Sequence, residues 1–147
     1  MKFAISMSVL FALVLILTFP YAAMSAEKNS IIINFAGKNY VAELEDNATA
    51  RDILNRMPLS LNLQRYAGHE YFADLPFRPE IAAEKTSRLE AGHLYYWDGG
   101  NSFVINYEEF NSAPYKEVHI GKINNAEEIC EYLRNANDNI SVKIIKK

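Results

Sequence analysis

His69-Glu70, a histidine joined to a carboxylate, is the pair in this chain that comes nearest to acid–base or metal chemistry. A zinc ion needs three or four convergent ligands. The other histidines, His93 and His119, fall on separate strand-like runs with no ligand spacing between them. All three therefore read as surface or half-buried side chains, and neither a metal nor a cofactor is expected. Ser60, Ser87 and Ser102 lack a His/Asp partner set, which leaves hydrolase chemistry without support. Asp98-Gly99-Gly100 has the glycines of a phosphate loop but neither a lysine nor a following helix, so it reads as a hairpin turn. Cys130 is the single cysteine, so no internal disulfide can form. It recurs with Ala126, Ile129 and Leu133 at helical spacing and reads as a small buried hydrophobe.

Aromatic residues offer a different kind of chemistry. Tyr66, Tyr71, Phe72, Phe77, Tyr95, Tyr96, Trp97 and Phe103 cluster mid-chain. A groove lined by some of them would suit an extended peptide or a flat small molecule; the plainer reading is that they fill a core. Strand alternation places Tyr95 and Trp97 on one face and Leu94 and Tyr96 on the other. One pair belongs to the core and the other is available.

The elements that position these residues can be read from period and turn chemistry. Runs 94–97 and 102–107 flank Asp98-Gly99-Gly100-Asn101 as a hairpin, and run 118–123 feeds a helix over 126–134 and a last strand over 140–145. Upstream, 31–35 and 40–44 form a hairpin across Ala36-Gly37-Lys38-Asn39. Thr49 and Asp52 resemble a capping box for a short helix that Pro58 ends, and 59–64 alternates Leu with polar residues as a strand with one dry face. From 66 to 90 the pattern loosens: Tyr71-Phe72 makes a short strand, Pro76 and Pro79 force extended or turn backbone, and a helical turn is expected over 82–88. Irregular segments of this length often carry binding surfaces. Residues 108–114 read as a loop. About eight short strands and two short helices predict a mainly β fold closed into a barrel, since closure removes exposed edges.

The N-terminus supplies a compartment. Met1-Lys2 precedes an apolar run over 3–19, Pro20 breaks it, and Ala22, Ala23, Ser25 and Ala26 follow. This is the layout of a secretory signal peptide cleaved after Ser25 or Ala26. Small residues follow the run and no basic cluster stops transfer, which favours cleavage over an uncleaved anchor. The expectation is a leader over 1–26 and one domain over 27–147, secreted or periplasmic, with membrane contact only through the leader before cleavage. The formal net charge of −3 gives no basic face for nucleic acid.

Gly100-Asn101-Ser102-Phe103-Val104-Ile105 resembles the Gly-Ser-Gln-Phe-Phe-Ile strand of cyclophilins, and Val118-His119-Ile120-Gly121-Lys122-Ile123 resembles their His-Val-Val-Phe-Gly-Lys-Val strand. Met57-Pro58-Leu59-Ser60-Leu61, Asp74-Leu75-Pro76, Ala91-Gly92-His93-Leu94-Tyr95-Tyr96 and Ile120-Gly121-Lys122-Ile123, in that order, are similar to the small bacterial cyclophilin-like domain family. The resemblance runs from Ile31 to about Ile145 and implies a cyclophilin-like closed β-barrel.

A working prolyl isomerase of that kind sets an arginine beside an apolar proline pocket, to weaken a partial double bond whose barrier is about 18–20 kcal/mol. The Phe-His-Arg and Phe-Met-x-Gln motifs that build this pocket are absent. By alignment Ser102 replaces the pocket glutamine, Val104 the phenylalanine and Glu117 the histidine. The loop tryptophan is missing from 108–114, and Trp97 does not align with it. Arg65 and Arg78 are the candidates for a relocated catalytic arginine, although each reads more plainly as a solvated loop side chain. Phe72, Trp97, Ser102, Val104 and Glu117 are the candidate ligand-binding residues. The resulting expectation is an exported module that binds a peptide or small molecule, with little isomerase activity. The alternatives are a divergent peptidyl-prolyl isomerase acting on exported proteins, and an interaction partner of a flavodoxin-like or redox protein, since relatives of the family can be associated with such domains.

Overall fold

The computed structural model describes residues 29–147; the expected leader and its cleavage position lie outside the described residues. Strands β1 (Ser30–Phe35) and β2 (Lys38–Leu44) turn at Ala36 and Gly37, with φ of 48° and 90°. Two successive positive φ values give the two-residue turn whose twist matches the flanking strands. Lys38 and Asn39, expected in the turn, therefore already belong to β2 and pair with Phe35 and Asn34.

Helix α1 (Ala48–Asn55) begins one residue before Thr49, because Asn47 is its cap: the Asn47 Oδ1 accepts from the Ala50 N–H at 2.9 Å, and its Nδ2 donates to the His119 carbonyl at 2.9 Å. The expected Thr49/Asp52 cap is thus displaced. Those side chains hold the following loop instead, Thr49 donating to the Glu80 carbonyl and Asp52 accepting from the Glu80 N–H. Strand β3 (Leu59–Tyr66) turns inward at Leu59, Leu61 and Leu63, and passes through Ala67 and Gly68, both at positive φ, into β4 (Glu70–Asp74).

The expected helical turn over 82–88 is absent. Two short strands, β5 (Lys85–Thr86) and β6 (Arg88–Leu89), occupy it. Leu89 explains the extended path, since it is buried against Tyr95 and Val104 rather than on a helix face. The central hairpin is β7 (His93–Trp97) and β8 (Ser102–Asn106); the segment read as a loop after it contains β9 (Phe110–Asn111), which pairs with β6. Strand β10 (Glu117–Ile123), helix α2 (Ala126–Asn135) and strand β11 (Asn139–Lys146) complete the fold.

All pairings are antiparallel, in the order β2-β1-β11-β3-β4-β8-β7-β10, and β10 returns to β2 to close an eight-stranded barrel. The closing contact depends on Gly121. A Cβ there would lie 2.7 Å from the Glu43 carbonyl oxygen, and the register of β10 against β7 shifts at this point, as a bulge does where a barrel must bend. Inside are Ile31, Ile33, Leu63, Tyr71, Phe103 and Ile105, with Ile53 from α1 and Ile129, Cys130 and Leu133 from α2. Cys130 is buried, as its helical spacing predicts. The mainly β fold with two short helices, closed as a barrel, matches the architecture expected from the sequence.

Candidate functional site

Alternation along β7 and β8 sends Leu94, Tyr96, Phe103 and Ile105 into the barrel. Tyr95 and Val104 face the other way and pack with Leu89, Phe72 and Trp97 into a second, smaller apolar cluster on the outer surface. The choice left open between the two aromatic pairs is settled: Leu94 and Tyr96 are core, while Tyr95 and Trp97 are outside it.

Over this surface, a groove of about 420 Å³ is lined by Tyr66, His69, Trp97, Phe110, Tyr115 and Glu117, together with residues 111–113. Tyr66 and Tyr115 stay 58% and 64% exposed, so large aromatic surface stands open to solvent at the rim. The Phe110 ring stacks on His69 with centroids 3.8 Å apart, and Tyr115 meets Trp97 edge-on at 6.3 Å. Trp97 is itself fixed by the hairpin turn: a Cβ on Gly99 or Gly100 would come within 2.8 or 2.6 Å of its ring.

Polar groups are buried on this outer face, and of these Glu117 and His69 line the groove. Glu117 is 6% exposed and its Oε2 has no hydrogen-bond partner. Burial, with the Glu70 charge adding to it, pushes its carboxyl up to about 8, so it is protonated at pH 7. Burial also raises the Glu70 carboxyl, against the pull of His69, whose Nε2 lies 3.2 Å from the Glu70 Oε2. Asn106 donates from Nδ2 to the carbonyls of Glu90 and Glu108, leaving its buried Oδ1 without a partner. The Tyr95 hydroxyl accepts from the Glu90 N–H and is pushed up to about 12 by burial. A buried, neutral carboxyl of this kind can donate or accept a hydrogen bond, or give up its proton to an incoming charge.

The candidate ligand residues divide by position. Trp97 and Glu117 line the groove. Phe72 and Val104 lie in the apolar cluster. Ser102 is bound instead to the Asp74 carboxylate at 3.2 Å and the Gly100 carbonyl at 3.1 Å, which ties it to the hairpin turn.

The two arginines also part. Arg65 is no solvated loop side chain: it lies in β3 and donates to the Asp138 carboxylate, the Tyr107 hydroxyl at 2.8 Å, and the Leu133 and Ala136 carbonyls at 3.0 and 2.6 Å. These are the last carbonyls of α2, where a cation satisfies both the open acceptors and the helix dipole. Arg78 is exposed, with its guanidinium 3.4 Å from the Asp98 carbonyl, as a solvated loop arginine would be.

His93 and His119 are half-buried on separate strands, as expected, yet they lie side by side. Their strands are neighbours, and the rings meet, His93 Nδ1 to His119 Nε2, at 2.9 Å, with Glu90 and Glu45 at the outer ends of the chain. Burial first, and His119 second, lower the His93 pKa. Among the described residues no group of three or more His, Cys, Asp or Glu is arranged to hold a metal ion.

Sequence reasoning placed Tyr66 among the aromatics that could line a groove, but missed Phe110, Tyr115, Asn106 and the burial of His69-Glu70. Parity carried part of the signal, because Glu70 shares a strand face with Phe72, and Asn106 with Val104. Phe110 and Tyr115 lie in a segment without periodicity, and only the chain path brings them to the groove.

A family model described as the Cyclophilin-like family matches residues 33–145. No curated protein matches the chain. The solution structure of a hypothetical protein from Archaeoglobus fulgidus is similar in fold, with a TM-score of 0.56 at 18% identity, covering 82% of this chain and 95% of that one.

Proposed function

The chain belongs to the Cyclophilin-like family, and from that premise we propose that it is an exported binding module whose ligand, a peptide or small molecule, enters the outer groove, with little prolyl isomerase activity. The observation that carries this reading is the combination of an exposed aromatic rim with a buried, unpartnered carboxyl at Glu117. Such a site offers apolar area for affinity and a polar group for orientation. Phe72 and Val104 form the apolar support beneath it, and Trp97 is one of its walls.

Isomerase chemistry finds less support, because neither arginine lines the groove: Arg65 is committed to α2 and Arg78 lies outside. Export rests on the leader pattern of the first 26 residues, and fractionation of expressing cells tests it. For the activity, a protease-free assay on a proline peptide should show no acceleration by the purified protein. Turnover abolished by Arg65→Ala or Arg78→Ala would replace this reading with the isomerase.

A further inference from the structure

Glu117 presents a feature that a general apolar groove does not require: a carboxyl more than nine-tenths buried, lining the groove, with one oxygen bonded to nothing. No cation of the chain answers it among the described residues. Glu70, on β4, is of like charge and repels it. His69 is engaged by Glu70, and the Tyr95 hydroxyl on β7 by the Glu90 N–H. Lys85, on the β5 strand that pairs with this end of β10, is drawn 2.7 Å from the Asp98 carboxylate, and Lys116, next in the chain, is exposed. The rim above is made of Tyr66, Trp97, Phe110 and Tyr115. Aromatic faces attract cations, and a desolvated carboxylate does so more strongly.

We propose that the groove receives the guanidinium of an arginine side chain from an extended peptide, its plane against the Trp97 ring, with Tyr115 standing edge-on beside it, and its N–H groups directed to Glu117. This rests on the groove being the binding site. Guanidinium suits it better than ammonium, because it is planar, weakly hydrated and stacks on aromatic rings while its edge bonds a carboxylate. The groove volume of about 420 Å³ is far more than one planar headgroup fills, which leaves room for the side-chain stem and flanking backbone. As the cation arrives, Glu117 releases its proton to solvent and the ion pair forms in the buried site.

The test uses the purified protein and an acetylated, amidated Ala-Arg-Ala peptide, whose charge does not change with pH. Its counterpart carries citrulline, which keeps the shape and loses the charge. Trp97, the single tryptophan, reports entry through its fluorescence. The arginine peptide should bind at least tenfold more tightly than the citrulline peptide, and its affinity should rise about tenfold between pH 7 and pH 9 as the Glu117 carboxyl, near 8 when the groove is empty, ionises. Glu117→Gln should remove both the preference and the pH dependence, with a thermal melt confirming that the variant folds; Glu70→Gln should keep the preference if Glu117 is the direct partner. Equal binding of the two peptides sinks the guanidinium assignment and leaves the groove as a binding site. No response to either peptide sinks the assignment and speaks against the groove as a peptide site.

Discussion

The inner and outer faces of the β7–β8 hairpin are both covered, yet they are built to different ends. Inside, Leu94, Tyr96, Phe103 and Ile105 join one continuous core, and the polar tip of Tyr96 is matched by the Asn101 side chain at 2.9 Å. Outside, Tyr95, Val104 and Trp97 form only a small cluster, and the polar groups around it include two buried oxygens without partners, Asn106 Oδ1 and Glu117 Oε2. A folded chain rarely leaves buried acceptors unmatched. The contrast teaches that the inner face is optimised for stability, whereas the outer face retains an unmet bonding capacity under an open aromatic rim.

The largest effect that could break this comparison comes from truncation inside. Ile105→Ala and Leu61→Ala should each cost about 2–5 kcal/mol in urea unfolding, because the closed barrel cannot collapse around the cavity. Val104→Ala, one residue away on the outer face, should cost roughly half as much, since it removes less carbon from a smaller cluster. Equal losses at 104 and 105 would erase the distinction.

The pH dependence of stability sharpens the comparison next. With its carboxyl raised from an ordinary 4.5 to about 8, Glu117 binds its proton more tightly in the native state than in the unfolded chain. Its contribution is therefore fully present below pH 4.5, is lost progressively as pH rises through 8, and amounts to on the order of 5 kcal/mol across that window. Glu117→Gln should flatten this decline between pH 5 and pH 8. His93 acts in the opposite sense: its pKa is lowered, so the stability linked to it is present above about 6.5 and is lost as pH falls below. A decline just as steep in the Gln variant would show that Glu117 is not the buried group responsible.

A smaller contrast lies in the two arginines. Arg65→Ala should cost about 2–3 kcal/mol, because it strips the α2 carbonyls and the Tyr107 hydroxyl of a charged donor. Arg78→Ala should stay within about 0.5 kcal/mol, as surface changes do. Thermal or urea unfolding of both variants decides it, and a large loss at Arg78 would mean that its loop is held more tightly than its exposure indicates.

Much of this architecture was legible in the chain. Period-two alternation in 59–64, 94–97 and 102–107, the glycine of the first hairpin turn, Gly37, and the helical spacing of Ile129, Cys130 and Leu133 all reflect constraints set by near neighbours, which is why the sequence determined them. Ordered motifs carried the family as well, and in one of them Gly121 must be small for β10 to meet β2 in this chain.

Other features depended on segments far apart in the chain. Arg65 had no local signature of a helix clamp, because its partners lie some seventy positions away at Leu133, Ala136 and Asp138. His93 and His119 became partners only through the pairing of β7 with β10. The groove likewise needed Tyr66, Trp97 and Phe110 to arrive from three separate turns and strands. Sequence by itself determined the faces of the strands, because alternation is a property of adjacent residues. Tertiary structure alone decided which outward-facing groups share a desolvated space, because burial and the field of Glu70 at Glu117 arise only when distant strands are brought together.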